Sequence, residues 1–302
     1  MRPRPAPWRK GMAAVIVSAS LATLMFDVRP AMTQTPFDLY LERVAMGAIG
    51  DQCRLFAADV SSALAIGAAQ ARTAALRGGY TPEALVRGAT DARGQVAHMA
   101  CASAHVQDAA NRTRSAFRAY SGLQRMVFPG DVGTWRADRN MPQQTASWRL
   151  AQDAFAGEDK VVFGVAGVQG AQALTLAVAS SDGASPYAAR LIVRDVARIP
   201  ELLVQPGGSA LAARAPVRGA AKVILAEAKA PADPALRPRG SDKAVAFRFP
   251  ASAQQALEQL DPREAVMVEI LYPAPHGDLV RTAFLEVGDF DAGVAFLNTQ
   301  AR

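Results

Sequence analysis

The stretch LRGGYTPEAL, residues 76–85, decides how this chain is read. Gly78-Gly79 ends a helix, because glycine tolerates the left-handed backbone that closes a helix C-terminus. Thr81-Pro82-Glu83 starts another. Thr81 offers an oxygen to free amides, Pro82 suits the first helical position, and Glu83 favours the positive helix end. Apolar residues recur at helical spacing on both sides of the turn. Ile49, Cys53, Phe56, Val60, Leu64 and Gly67 form one stripe, and the second runs from Leu85 through Val96 and Val106 to Tyr120. Pro129-Gly130 stops the element. The reading is a long helical hairpin over residues 36–128, coiled-coil-like in its proportions. So thin a pair has little core of its own. It is expected to kink into a small bundle near Gly88 or Gly94, to pack on the rest of the chain, or to pair with another protein.

The only two cysteines, Cys53 and Cys101, lie one on each arm. In an exported protein such a pair reads as one disulfide. Cys53 lies about 24 residues before the turn and Cys101 about 20 after it, a mismatch of about 6 Å that a break in the second helix would absorb. An alternative uses the histidines. His98, Cys101 and His105 sit at i, i+3 and i+7 and share one helical face. With Cys53 they make a Cys2His2 set suited to zinc, or to copper. Otherwise no cofactor is expected.

Met1 to Lys10 is basic and Gly11 to Phe26 is apolar and uncharged. That is the layout of a secretory signal. No clean small-x-small cleavage site follows the apolar run, so residues 1–33 read as a signal peptide or an uncleaved inner-membrane anchor. The expected location is periplasmic or secreted, with any membrane contact through this segment alone. The chain's net charge is +6, but five basic residues against Asp27 fall before residue 33. The remainder carries only about +2 and no basic run, which argues against nucleic-acid binding.

Residues 129–144 read as a polar linker holding Trp135. From residue 145 the pattern becomes short β-prone runs between turn signals. The strands read as Trp148 to Phe155, Lys160 to Val165, Ala173 to Val178, Tyr187 to Val193, Ala221 to Glu227, Val245 to Phe249, Ala265 to Leu271 and Val280 to Val287. Gly167 to Gly170 reads as a hairpin turn. Helices are expected over Ala253 to Leu260 and from Asp289 to Asn298. Residues 206–219 and 229–242 read as long loops. The fold class is α+β: a helical hairpin followed by an antiparallel β sandwich or barrel-like domain, residues 145–302, with one or two short helices.

The C-terminal order is a strand (AVAFRFP, 244–250), a helix (ASAQQALEQL, 251–260), a strand (AVMVEILY, 265–272) and a strand running into a last helix (RTAFLEVGDFDAGVAFL, 281–297). It resembles the end of the invasion-associated locus B family, small exported β-rich bacterial proteins. The likeness is confined to this part of the chain. The β-domain cysteines of that family are absent, and no functional residue carries over. The resemblance implies an exported accessory protein without known catalysis.

Gly164 to Gly170 has G-x-x-G-x-x-G spacing with strand-like sequence after it, which is a hairpin and not a dinucleotide loop. Nucleotide-binding, nucleophile-elbow and zinc-protease motifs are absent. His276 with Asp278 is the one pairing that suggests a hydrolase site. Glu286, Asp289 and Asp291 offer oxygen ligands for a cation. Trp135 and Trp148 line a pocket or fill the core. The leading functional expectation is a non-catalytic envelope protein whose helical arm meets a protein partner or a second copy.

Overall fold

The computed structural model describes residues 34–140, 144–200, 202 and 210–298. The proposed signal or anchor segment lies outside them. Those from Gln34 onward belong to one compact unit.

One helix ends at Arg77 and the next starts at Pro82, as expected, but each expected arm is two helices and the simple two-helix hairpin does not form. The first arm is α1 (Pro36–Cys53) and α2 (Ala58–Arg77); the second is α3 (Pro82–Val96) and α4 (Ala104–Ser121). The long hairpin is therefore a four-helix layer, and neither arm is a continuous coiled coil. The α1–α2 break sits at Arg54, whose φ of 52° is left-handed. Leu55 N–H returns to Gly50 C=O at 2.9 Å. Phe56 then folds over Gly50, so closely that a Cβ there would lie 2.5 Å from its ring. The second break spans residues 97–103, not Gly88 or Gly94, both of which lie inside α3. Gly88 instead gives room to Leu41 and Phe37 of α1. Thr81 caps α3 as expected, its Oγ1 accepting from Ala84 N–H at 3.2 Å.

The β part holds two antiparallel sheets. In chain order the strands are β1 (Arg125–Pro129), β2 (Thr134–Asp138), β3 (Ser147–Ala156), β4 (Asp159–Val168), β5 (Ala171–Ala179), β6 (Ala188–Arg194), β7 (Ala221–Leu225), β8 (Ala228–Pro231), β9 (Val245–Arg248), β10 (Ala265–Ala274) and β11 (Gly277–Glu286). The seven-stranded sheet runs β1-β2-β3-β4-β5-β9-β8, and the four-stranded sheet runs β11-β10-β6-β7. β10 shows the alternation of a half-buried strand, with Val266, Val268, Ile270 and Tyr272 buried between more open neighbours. The β4–β5 turn lies at Gln169-Gly170, inside the expected hairpin. Gly164, at φ 153°, lets β3 approach: a Cβ would sit 1.9 Å from Leu150 O.

Three short helices complete the unit: α5 (Leu211–Arg214), α6 (Ala251–Glu258) and α7 (Phe290–Asn298). One apolar cluster joins both sheets to α6 and α7, through Phe163, Leu176, Leu191, Val268, Leu257 and Phe290. Ile66 of α2 enters the same cluster, so the helical layer packs directly on the β core.

Four expectations fail here: residues 125–128, read as the end of the hairpin, lie in β1, and residues 211–214, read as loop, form α5. The linker contains β2, with Trp135 2% exposed, and begins at the end of β1. The loop expected over residues 229–242 holds most of β8, whose four residues are all exposed and so lack the alternation that marks a strand. At the base of β4, buried Asp159 ties the two sheets together. It accepts from Arg281 Nη1 at 2.7 and 2.8 Å, from Tyr272 Oη at 2.6 Å, and from Ser181 N–H at 2.9 Å.

Candidate functional site

Most of α1 is only half-buried. Of its eighteen residues only Ile49 and Gly50 are buried. A cleft borders it on each side.

Between α1 and α3 lies a groove of about 520 Å³, with Phe37, Leu41 and Ala45 facing Ala84, Gly88 and Ala92. Phe37 is held at its end by stacking on Tyr80, ring centroids 4.6 Å apart.

Between α1 and α4 lies a cleft of about 430 Å³ with apolar walls from Leu39, Met46, Leu64 and Phe117. Its polar groups are Arg43, Arg112, Tyr120, Glu42, Gln34 and Thr113. Arg43 Nη1 donates to the Gly67 carbonyl of α2. Burial lowers the Arg43 pKa, against the raising influence of Glu42 and Tyr120. The Tyr120 hydroxyl is buried and has no hydrogen-bond partner among the described residues. Burial pushes that phenol up to about 12, so it stays neutral at physiological pH. Glu42 is engaged by Gln34 Nε2 at 2.6 Å. Gly67 and Tyr120 were legible as stripe residues of two helices. Arg43, a surface residue by sequence pattern, gave no sign of turning inward.

Under the helical layer lies an ionic junction that the sequence hid. Glu286, 1% exposed, accepts backbone N–H bonds from Asp131, Val132 and Gly133 at 2.9, 2.8 and 2.7 Å. The turn wraps the carboxylate so tightly that a Cβ at Gly130 would meet Glu286 Oε2 at 2.5 Å. Arg214 Nη1 bonds Asp131 at 3.0 Å and lies 3.8 Å from Glu286. Asp289 faces Arg77 of α2. Trp135 Nε1 donates to the carbonyls of Glu286 and Val287 at 3.1 and 2.9 Å.

This geometry resolves the residue-level expectations. Cys53 and Cys101 form a disulfide, with Cα atoms 5.5 Å apart. It joins the end of α1 to the α3–α4 turn. The Cys2His2 alternative is corrected, because bonded sulfurs are not thiolate ligands. His98 lies in the turn and His105 on α4, both exposed, so the four residues share no helical face. Among the described residues no cluster of His, Cys, Asp and Glu is arranged to hold a metal ion. The oxygen-ligand reading of Glu286, Asp289 and Asp291 fails too. Glu286 accepts from backbone amides, Asp289 faces Arg77 at 3.9 Å, and among the described residues the three acids form no group that could hold a metal ion. His276 is exposed at the tip of the β10–β11 hairpin, where Ala274 pairs with Gly277. Trp135 fills the core, and Trp148 is half-buried with Nε1 on Leu236 O at 3.2 Å.

Neither a family model, a curated protein nor a solved structure matches this chain. Among the described residues no helix is long and apolar enough to cross a membrane. The disulfide is compatible with a location outside the cytoplasm.

Proposed function

We propose that this is an exported protein of a bacterial envelope, periplasmic or secreted, that acts without catalysis as an interaction or assembly module. Its helical layer presents the contact surface to a protein partner or a second copy. The observation that carries this reading is the open α1/α3 groove, where the apolar side chains of Phe37, Leu41 and Ala45, on a helix that buries only two residues, lie between the polar ones of Glu42, Arg87, Asp91 and Gln95. Apolar surface left open beside a rigid core is the common mark of an interface. The disulfide supports the oxidising compartment, and it braces α1 against the α3–α4 turn so that the groove keeps its shape.

The test places a photoreactive residue at Leu41 in the cell and follows the purified protein by sedimentation velocity. A cross-linked partner, or a dimer lost in the variant Leu41→Glu, is expected. A monomer at all concentrations with no adduct in the cell would overturn the proposal.

A further inference from the structure

The α1/α4 cleft combines an apolar wall with two polar groups that lack their full set of partners. Arg43 makes one hydrogen bond, to Gly67 O, and no carboxylate pairs with it within salt-bridge distance among the described residues. The Tyr120 hydroxyl has no hydrogen-bond partner among the described residues. A buried hydroxyl without a partner costs free energy that a ligand oxygen would recover. Arg112, at the rim, forms no ion pair among the described residues and adds a second positive charge. The one acid of the lining, Glu42, is occupied by Gln34.

We infer that this cleft binds a single-chain anionic amphiphile, an acyl carboxylate or an alkyl phosphate monoester. The headgroup oxygens meet Arg43 and Tyr120, and the chain runs along Leu39, Met46, Leu64 and Phe117. An anion follows from the guanidinium and the neutral phenol, both able to donate. A chain follows from the walls, which a bare inorganic anion would leave wet. A cleft of about 430 Å³ falls in the size range of small-molecule sites. This inference does not rest on the protein-contact reading, which uses the opposite side of α1.

The test is isothermal titration of the purified protein with dodecanoate and dodecyl phosphate, against dodecanol, dodecyltrimethylammonium and inorganic phosphate. At least one of the two anions is expected to bind, and the one that binds identifies the headgroup. Dodecanol should bind about tenfold more weakly or worse, since one charge-assisted hydrogen bond contributes about 1.5 kcal/mol or more. Arg43→Gln should weaken the anion by a similar factor, and Tyr120→Phe by several-fold, each with an unchanged circular dichroism spectrum. If Arg43→Gln does not fold, exposed Arg112→Gln provides the measurement, with a several-fold loss expected. Equal binding of dodecanol and dodecanoate would overturn the inference. So would anion affinity untouched by these substitutions, no binding at all, or a photo-cross-link from Met46 to a second copy.

Discussion

Asp289 and Arg77 face each other across the junction of α7 and α2, with 3.9 Å between carboxylate oxygen and guanidinium nitrogen. The acid is almost wholly buried, and its Oδ1 has no hydrogen-bond partner among the described residues. The pair therefore attracts without closing into a hydrogen bond. Burial pushes Asp289 up to about 6, helped by Glu286, while Arg77 and Thr73 pull the other way. The folded protein thus holds this proton more tightly than the unfolded chain. The cost is absent below the unfolded value near 4 and grows as pH rises through 6, reaching about 3 kcal/mol. Asp289→Asn should raise stability at pH 8 by up to about that amount and change little at pH 4. Urea denaturation at the two pH values checks this, and a stabilisation equal at both would refute it.

The disulfide spans a sequence separation of 48 residues. In the chain-entropy model its removal should cost about 4 kcal/mol. Cys53→Ser with Cys101→Ser should lower the denaturation midpoint, and dithiothreitol should do the same to the native protein. The loss should concentrate at the end of α1, where Ile49, Val96 and Val106 form a small separate cluster. Hydrogen exchange would show it as faster exchange in residues 45–55 with the β strands still protected.

Glu286 holds the β1–β2 turn by its carboxylate alone, through amide donors on three consecutive residues. Glu286→Gln keeps the size but turns one oxygen into a donor facing N–H groups. We expect a loss of about 2–4 kcal/mol, the size seen when a buried hydrogen-bonded charge is disrupted. Gly130→Ala should also destabilise, because the added methyl would meet both that carboxylate and Gly133 O at 2.6 Å. Thermal melts of the two variants provide the comparison; a Gly130→Ala protein as stable as the parent would contradict the packing.

Two helical glycines should respond unequally to alanine. At Gly50 the new methyl meets the Phe56 ring at 2.5 and 2.6 Å, and moving that ring undoes the α1–α2 break. At Gly88 it meets only side-chain ends of Leu41 and Phe37, at 2.9 and 3.0 Å. A gain of about 1 kcal/mol in helix propensity offsets that crowding. Gly50→Ala is expected to cost about 1–3 kcal/mol, and Gly88→Ala to lie near zero. Midpoints from denaturant titration, ranked in the reverse order, would reject this account.

Local chemistry made part of this molecule readable from its residues. Glycine followed by Thr-Pro-Glu requires a helix to stop and another to start, and α2 and α3 meet there. Period-two patterning marked β10, and glycine spacing marked the β4–β5 turn. Two cysteines in a chain with an export-like leader pointed to one bridge, and that bridge is present. Each of these signals is carried by neighbours within a few residues. The rest depended on contacts that sequence spacing does not encode. The α1–α2 break is set by Phe56 closing on Gly50. The supposed linker becomes sheet because Trp135 finds the Glu286 and Val287 carbonyls, 151 and 152 residues away. Arg43 turns inward only because Gly67, 24 residues on, leaves its carbonyl open beside Tyr120. Residue type and period determined most of the helices and strands, but not β1, β2 or β8. Which polar groups are buried together was decided by the packing of the helical layer on the sheets, where desolvation gives distant partners their energy.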